Sequence, residues 1–431
     1  MRKEAFFKIY NSEEFRQKAL LWANGFTTFQ YLSGNNHQNR FGVFPDLLAA
    51  DAVSSFSSTS TNTFERLYNF HTEKKDFLFG HLCYDLKNEL ENLQSLHQDH
   101  IGFPLSFFFQ PTHIIHFHKE GVTISSYDQP ESVYATITET QLPQEEEYFS
   151  VNIKTRISRE NYLKKIEKIK YHLLEGDIYE LNFCMEFFAE EAQINPLAVF
   201  LKLNQLSPMP FASFYKVNHN YLLCCSPERF LKKDGDKLIS QPIKGSARRD
   251  ADSQKDELIK EELRNSEKER AENMMIVDLV RNDLARSSNA GTTTVEEFFG
   301  IYTYNHIHQM ISTISSQIKD ELPFTDAIKN AFPMGSMTGA PKIKAMELIE
   351  TYEESRRGPF SGAVGFISPN QDFDFNVVIR SVFYNETTNY LSFQTGSAIT
   401  YDSVAVKEYE ECLLKAKAIL QVLNVNINSI I

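Results

Sequence analysis

The 431-residue sequence predicts an α+β fold. Two observations carry that prediction: helix-period and strand-period apolar patterns alternate irregularly rather than as a βαβ series, and several strand runs are close enough to form hairpins. A hydrophobic share of 42%, with 13% aromatic residues, suffices for one large core or a few smaller ones.

Upstream, "FLFGHLCYDL" and "HIIHFHKEGVTISSY" mix strand-like runs with glycine turns. An acidic shift at "QLPQEEEYFS", residues 141 to 150, separates a divergent N-terminal region, 1–145, from a core at 146–431. With no repeat and no Pro/Gly/Ser-rich linker, both are expected in one fold. Ser158 predicts the N-cap of a helix whose apolar residues Leu163, Ile166, Ile169 and Leu173 recur at helical spacing until Gly176. Strands follow in "DIYELNFCMEF", in "YLLCCSPERF" running into a turn, and in "DKLIS". One long helical pattern covers about Lys255 to Leu284, and "NAFPMGSMTGAPK" leads into another helix. Strands in "GAVGFIS", "DFNVVIRSVFY" and "YLSFQTG" precede a final helix through "VKEYEECLLKAKAILQVL".

The net charge is −13, with basic residues scattered rather than gathered in a stripe, which argues against nucleic acid and anionic membrane surfaces as partners. "MRKEAFFKIYNSEEF" lacks the apolar run of a signal peptide, and "FPLSFFFQPTHIIHF" is too short and interrupted to span a bilayer. The expectation is a cytoplasmic protein. The five cysteines include an adjacent pair and show no C-x-x-C spacing, so they are expected to be reduced and mostly buried.

"SQPIKGSARR" holds Lys244 between Pro242 and Gly245, just after a strand pattern, which predicts a tight turn that fixes the lysine in place. At about 100° per residue, Glu272 shares a helix face with Met275, Ile276 and Leu279. The same projection sets Glu411 beside Leu414, Ala418 and Val422, with Lys415 on its flank. Each inward carboxylate needs a cation. Taken singly, an ion pair suffices; taken together, they suggest a shared Mg²⁺ whose other ligands are water and an anionic substrate. "FPMGSMTGAPK" fails the spacing of a nucleotide-phosphate loop, leaving a turn whose backbone N–H groups and Thr338 hydroxyl suit a carboxylate, or an ordinary capped helix start. Arg380 in "VVIRSVF" is an edge residue or a buried fork for a carboxylate, and Gly396 in "QTGSAIT" marks a close backbone approach.

With "EGDIYELNF", "CSPERFL", "QPIKGSARR", "NSEKERAENMMIVDLVRNDLAR", "FPMGSMTGAPKIKAMELIE", "RRGPFSGAVGFIS", "TGSAIT" and "EYEECLLKAKAIL" in order over about residues 155 to 422, the chain resembles the chorismate-utilising enzymes. This family includes component I of anthranilate synthase and of aminodeoxychorismate synthase, isochorismate synthases and salicylate synthases. The first 145 residues resemble it only loosely. The resemblance implies two antiparallel sheets packed as a sandwich, with helices outside and the site between. It further implies Mg²⁺ on Glu272 and Glu411, with Arg380, Thr338, Gly396 and the turn at Gly245 and Ser246 around chorismate. Asp278 and Asn282 belong to the same helix signature, as braces of the metal helix.

The P-I-K-G lysine resembles the aminodeoxychorismate-forming branch, where it is a nucleophile at C2 of the ring; anthranilate synthases carry alanine there. The alternative role for Lys244 is a substrate-carboxylate anchor. As a nucleophile its pKa must fall from about 10.4 by two or three units, with Mg²⁺, partial burial and Arg248 or Arg249 pushing that way. Glu228 matches an acid or base at the leaving hydroxyl, or else pairs with Arg229 or Arg248. The lysine base of the isochorismate branch is replaced by Glu180, and the histidine of anthranilate synthases by Gln309, with His308 one residue earlier. Phe360 stands where anthranilate synthases have tyrosine. The resemblance thus implies ammonia delivered by a separate glutamine amidotransferase subunit, and 4-amino-4-deoxychorismate, bound for 4-aminobenzoate and folate, as product. Rival expectations are an anthranilate synthase component I and a non-catalytic chorismate-binding or regulatory protein.

Overall fold

The structure, a computed structural model, describes residues 2–58, 61–143, 149, 151–427 and 430. Most of the acidic segment expected at the region boundary, 144–148 and 150, lies outside the described residues. Every strand pairing among the described residues is antiparallel.

One layer runs from strand Glu180–Ala189 through Tyr390–Ile399, Ser381–Asn385, Asn220–Ser226, Phe211–Val217 and Thr28–Ser33 to Leu47–Ser58. The other runs from Leu78–Leu82 through Ala363–Ile367, Phe373–Val377, Arg229–Asp234 and Lys237–Gln241 to Ile307–Gln317, flanked by Ile243–Arg248 and Thr294–Thr303. Strand Ser106–Phe117 joins them: its first residues pair with Leu78–Leu82, and its whole length pairs with Leu47–Ser58. Both joining strands are 12 residues long, and a bulge between Ala52 and Ser54 bends the pair. The sandwich is therefore two layers of one continuously hydrogen-bonded sheet.

Side-chain alternation fills the space between the layers. Tyr215, Leu222 and Phe383 from one layer share a core with Leu82, Val364 and Phe375 from the other. Polar groups also cross: Gln30 donates to the Gly365 carbonyl at 3.1 Å, Asn376 donates to that of Phe211 at 2.9 Å, and His81 meets the Tyr215 hydroxyl at 3.0 Å. The opposite face of the first layer, with Phe187, Phe214, Leu223 and Phe393, packs on helix residues Ile166, Phe200, Ala416 and Ile419. The adjacent cysteines illustrate the period of two, Cys224 entering one core and Cys225 the other. All five cysteines are buried free thiols.

Helix Arg159–Leu174 starts where Ser158 predicts, the serine hydroxyl accepting the Asn161 N–H at 3.3 Å. The pattern from Lys255 to Leu284 is instead two helices, Ser253–Asn265 and Glu267–Ser287. Ser266 leaves the helical region and accepts the Glu269 N–H at 3.3 Å, so "SEKE" opens a new helix that apolar periodicity alone runs through. The run "DFNVVIRSVFY" is likewise two strands, broken where Arg380 turns to φ 53°. No helix among the described residues is long and apolar enough to cross a membrane.

Candidate active site

A cavity of about 190 Å³ opens where the carboxyl-terminal helix Ala405–Val422, helix Glu267–Ser287 and strands of both layers converge. Its wall includes Glu228, Lys244, Gly245, Ser246, Glu272, Arg380, Gly396 and Glu411. Residues as far apart in the chain as Asn182 and Lys415 are thus brought to one place.

Thr338 is the exception. It is fully buried behind the wall, and its hydroxyl donates to the Met334 and Gly335 carbonyls of its own turn. Ser336, two residues earlier, faces the cavity and donates to Glu228 Oε1 at 2.6 Å.

Lys244 sits on a bulged strand, not in a tight turn. Ile243 pairs with Ile311 but Ser246 with Gln309, so the Lys244–Gly245 step carries one extra residue. Gly245 has φ 93°, and a Cβ there would meet Glu269 Oε2 at 2.9 Å, so glycine lets helix Glu267–Ser287 close on the bulge. Asn273 fixes the register by donating to the Lys244 carbonyl at 3.3 Å while accepting from the Ser312 hydroxyl at 2.6 Å.

The lysine side chain is 9% exposed and its ammonium pairs with Glu180, whose side chain is 1% exposed. Burial disfavours the ammonium, but Glu180, backed by Glu272 and Glu228, outweighs burial and holds the pKa above its ordinary value. This corrects the expected lowering, and Arg249, one of the cations expected to drive it, pairs with Asp256 at 2.8 Å instead. Lys244 must therefore hand its proton to a neighbour before it can act as a nucleophile.

Glu228 makes no ion pair with Arg229, which binds both oxygens of Asp374 at 2.9 Å. Burial pushes the Glu228 carboxyl up to about 7, with Ser336 and Lys244 offsetting only part of that. A carboxylic acid that keeps its proton near neutrality can protonate a leaving group.

Glu272 and Glu411 both reach the cavity, Glu411 from beside the buried stripe of its helix rather than from within it. The buried stripe of its helix runs through Glu408, Tyr409, Cys412, Ala416 and Ile419, so Glu408 points inward. Glu411 stands at the mouth, its side chain 47% exposed and 2.6 Å from Lys415. Burial, with Glu180 and Glu269 adding repulsion, raises Glu272 to about 7. Glu269 and Glu408 also line the wall, each one helical turn before a predicted ligand; the i,i+3 spacing was a readable signal.

Five carboxylates and four cationic side chains line the cavity, so a dianionic ligand enters a wall already rich in negative charge. All-oxygen donors on two facing helices suit a hard divalent cation. Among the described residues, no group of three or more His, Cys, Asp or Glu is assembled for a metal. A hard divalent ion held there would have to complete its shell with water and substrate.

The Arg380 guanidinium faces the cavity and makes no hydrogen bond or ion pair with a described residue, a ready fork for a carboxylate. Gly396 serves strand approach: a Cβ there would strike Cys184 Sγ and come within 2.6 Å of the Phe183 carbonyl, while its own carbonyl is held by Lys415 at 2.7 Å.

Residues 11–421 match the family described as chorismate binding enzyme. The chain belongs to this chorismate-utilising enzyme family. Membership therefore reaches back to residue 11, through the region whose resemblance is loose by eye. The chain is 30% identical over 363 residues to aminodeoxychorismate synthase component 1 of Bacillus subtilis, covering 80% of this chain and 77% of that protein. It is 31% identical over 368 residues to anthranilate synthase component 1 of Acetivibrio thermocellus, covering 79% and 74%. The crystal structure of anthranilate synthase component I from Streptococcus pneumoniae superposes with a TM-score of 0.76 at 23% identity, over 89% of this chain and 95% of that one.

Within the family fold, alternation along strand Ile307–Gln317 turns Gln309 into the cavity and His308 away from it, onto Asp256 at 2.9 Å. Phe360 also lines the cavity. Asp278 and Asn282 do not brace the helix, since both are exposed and Asp278 pairs with Arg281. Buried Asp283 does, through Lys342 at 2.6 Å.

Proposed function

We propose that this chorismate-utilising enzyme is the aminating component of an aminodeoxychorismate synthase, converting chorismate and ammonia to 4-amino-4-deoxychorismate and water. The observation that carries the proposal is Lys244 itself, a buried amine on the cavity wall with a carboxylate, Glu180, on its nitrogen and a second, Glu228, in the same wall. A binder has no need of that arrangement, and an anthranilate-forming site is disfavoured because His308 faces away and Gln309 takes its place.

In this reading Arg380 holds a substrate carboxylate, with Gly245, Ser246 and Gly396 shaping the wall around it. Glu272 and Glu411 hold Mg²⁺, with Glu269 and Glu408 behind them; when bound, the ion neutralises the approach of the substrate dianion. Neutral Lys244 Nζ forms a bond to ring C2, the two ring double bonds shift, and the C4–O bond breaks. Glu228 gives its proton to the departing hydroxyl, which leaves as water. Ammonia then bonds to C4, the double bonds shift back, Lys244 is released, and the new C4 ammonium returns one proton to Glu228. A separate glutamine amidotransferase subunit supplies the ammonia, as the "component 1" names of the relatives suggest, and the product serves 4-aminobenzoate and folate synthesis.

The test withholds ammonia. With chorismate and Mg²⁺ alone, the intact protein should gain the mass of chorismate less water, and peptide mapping should place it on Lys244. Rapid turnover to another product with no such adduct counts against the nucleophile.

The acid role of Glu228 also sets the pH dependence. Its folded pKa of about 7 is raised, so the proton it donates is present below that value and lost as pH rises through it. At fixed free ammonia, kcat should fall on the alkaline side of about 7, and Glu228→Gln should remove that fall while lowering the rate about a hundredfold. An unchanged limb in the variant would assign it elsewhere.

A further inference from the structure

Glu180 opens the strand Glu180–Ala189 and is buried there, and its two oxygens are unequally used. Oε1 lies on the Lys244 ammonium. Oε2 is buried and receives no hydrogen bond from any described residue. A buried carboxylate oxygen without a donor is costly, and the cost is relieved when the carboxyl gains a proton. Lys244 Nζ, in turn, hydrogen bonds to no described residue other than Glu180.

We propose that Glu180 is the general base for Lys244, taking a proton from Nζ as that nitrogen attacks the substrate and returning it when the nitrogen is released. The inference rests on the reading of Lys244 as nucleophile. One N–H bond breaks and one O–H bond forms on Glu180; the freed lone pair makes the C–N bond at C2. On release the C–N electrons return to nitrogen, which recovers the proton, so nothing is oxidised or reduced.

The groups facing this pair come from three sides. Glu228 stands beyond it on the strand turn, and helix Glu267–Ser287 contributes Glu272 with Lys268 and Glu269 around it. Glu411 and Lys415 face it from the carboxyl-terminal helix, and Arg380 lines the same cavity. Of these, Glu180 alone is hydrogen bonded to Nζ.

A merely structural ion pair and a base differ in what happens to the proton. In the wild type the proton moves within the pair and none is exchanged with solvent, so Lys244 gives kcat no acid limb. In Glu180→Gln the lysine must first lose its proton to solvent. The pure protein, assayed with chorismate, Mg²⁺ and ammonium at fixed free ammonia, should then show a new acid limb rising about tenfold per pH unit, with a rate at neutral pH about a hundredfold below wild type. Glu180→Asp, which keeps a carboxylate, should be slower yet retain the one-sided wild-type profile, and it serves as the readout if the glutamine variant does not fold. Wild-type kcat in Glu180→Gln, a uniform loss without a new limb, or an acid limb in Glu180→Asp overturns the base while leaving the amination reading intact. Anthranilate and pyruvate from the wild type overturn both.

Discussion

Lys244→Ala should lower amination of chorismate at least about a thousandfold, the scale on which removal of a covalent nucleophile falls. Lys244 contributes the attacking nitrogen and the only cation hydrogen bonded to Glu180 among the described residues. Removing it leaves a buried carboxylate that must take up a proton or destabilise the wall. Arg380 and the acidic helices are untouched, so chorismate affinity measured by calorimetry should change far less than kcat. A variant that kept a tenth of the wild-type rate would reduce Lys244 to a carboxylate anchor.

Arg357→Ala should be the most destabilising single change near the site, at about 3–5 kcal/mol, read by denaturant unfolding. Arg357 is 3% exposed and donates to Glu353 at 2.6 and 2.9 Å, to the Met337 carbonyl at 2.7 Å and to that of Asn182 at 2.9 Å. Glu353 in turn accepts the Cys184 N–H at 2.8 Å, so one ion pair ties the Asn182 strand to the Met337 turn. Both Asn182 and Met337 line the cavity, so loss of the arginine should also raise KM. Truncation strands a buried carboxylate and two carbonyls. Replacing Glu353 by leucine in the same chain should recover part of the loss, because the stranded charge goes while the carbonyls stay unpaired. A loss under about 1 kcal/mol would show that water satisfies these groups.

Much of the site was legible because its residues sit at spacings that local rules fix. The Pro-Ile-Lys-Gly run, the inward Glu272 and the strand Arg380 all reach one cavity, although the reason Lys244 is held there is a bulge closed by Gly245, not a turn. What could not be read depends on partners distant in sequence. Glu180 and Lys244 are 64 residues apart, so the pairing that raises the lysine pKa was invisible to any local pattern. Glu411 does reach the cavity, but beside Leu414, which is 41% exposed, rather than within the Cys412 and Ala416 stripe. Thr338 was chosen by its place in a glycine-rich turn, but its hydroxyl closes that turn from within. In the fold, helices and strands were found more surely than their breaks, since Ser266 interrupts a helical run and Arg380 a strand run whose apolar periods continue through them.

The most direct test of the account is the product formed when the pure protein is given chorismate, Mg²⁺ and ammonium, followed by mass and by fluorescence. A non-fluorescent product that has exchanged its hydroxyl for an amine and kept the enolpyruvyl group is the predicted result; fluorescent anthranilate with an equivalent of pyruvate would contradict it.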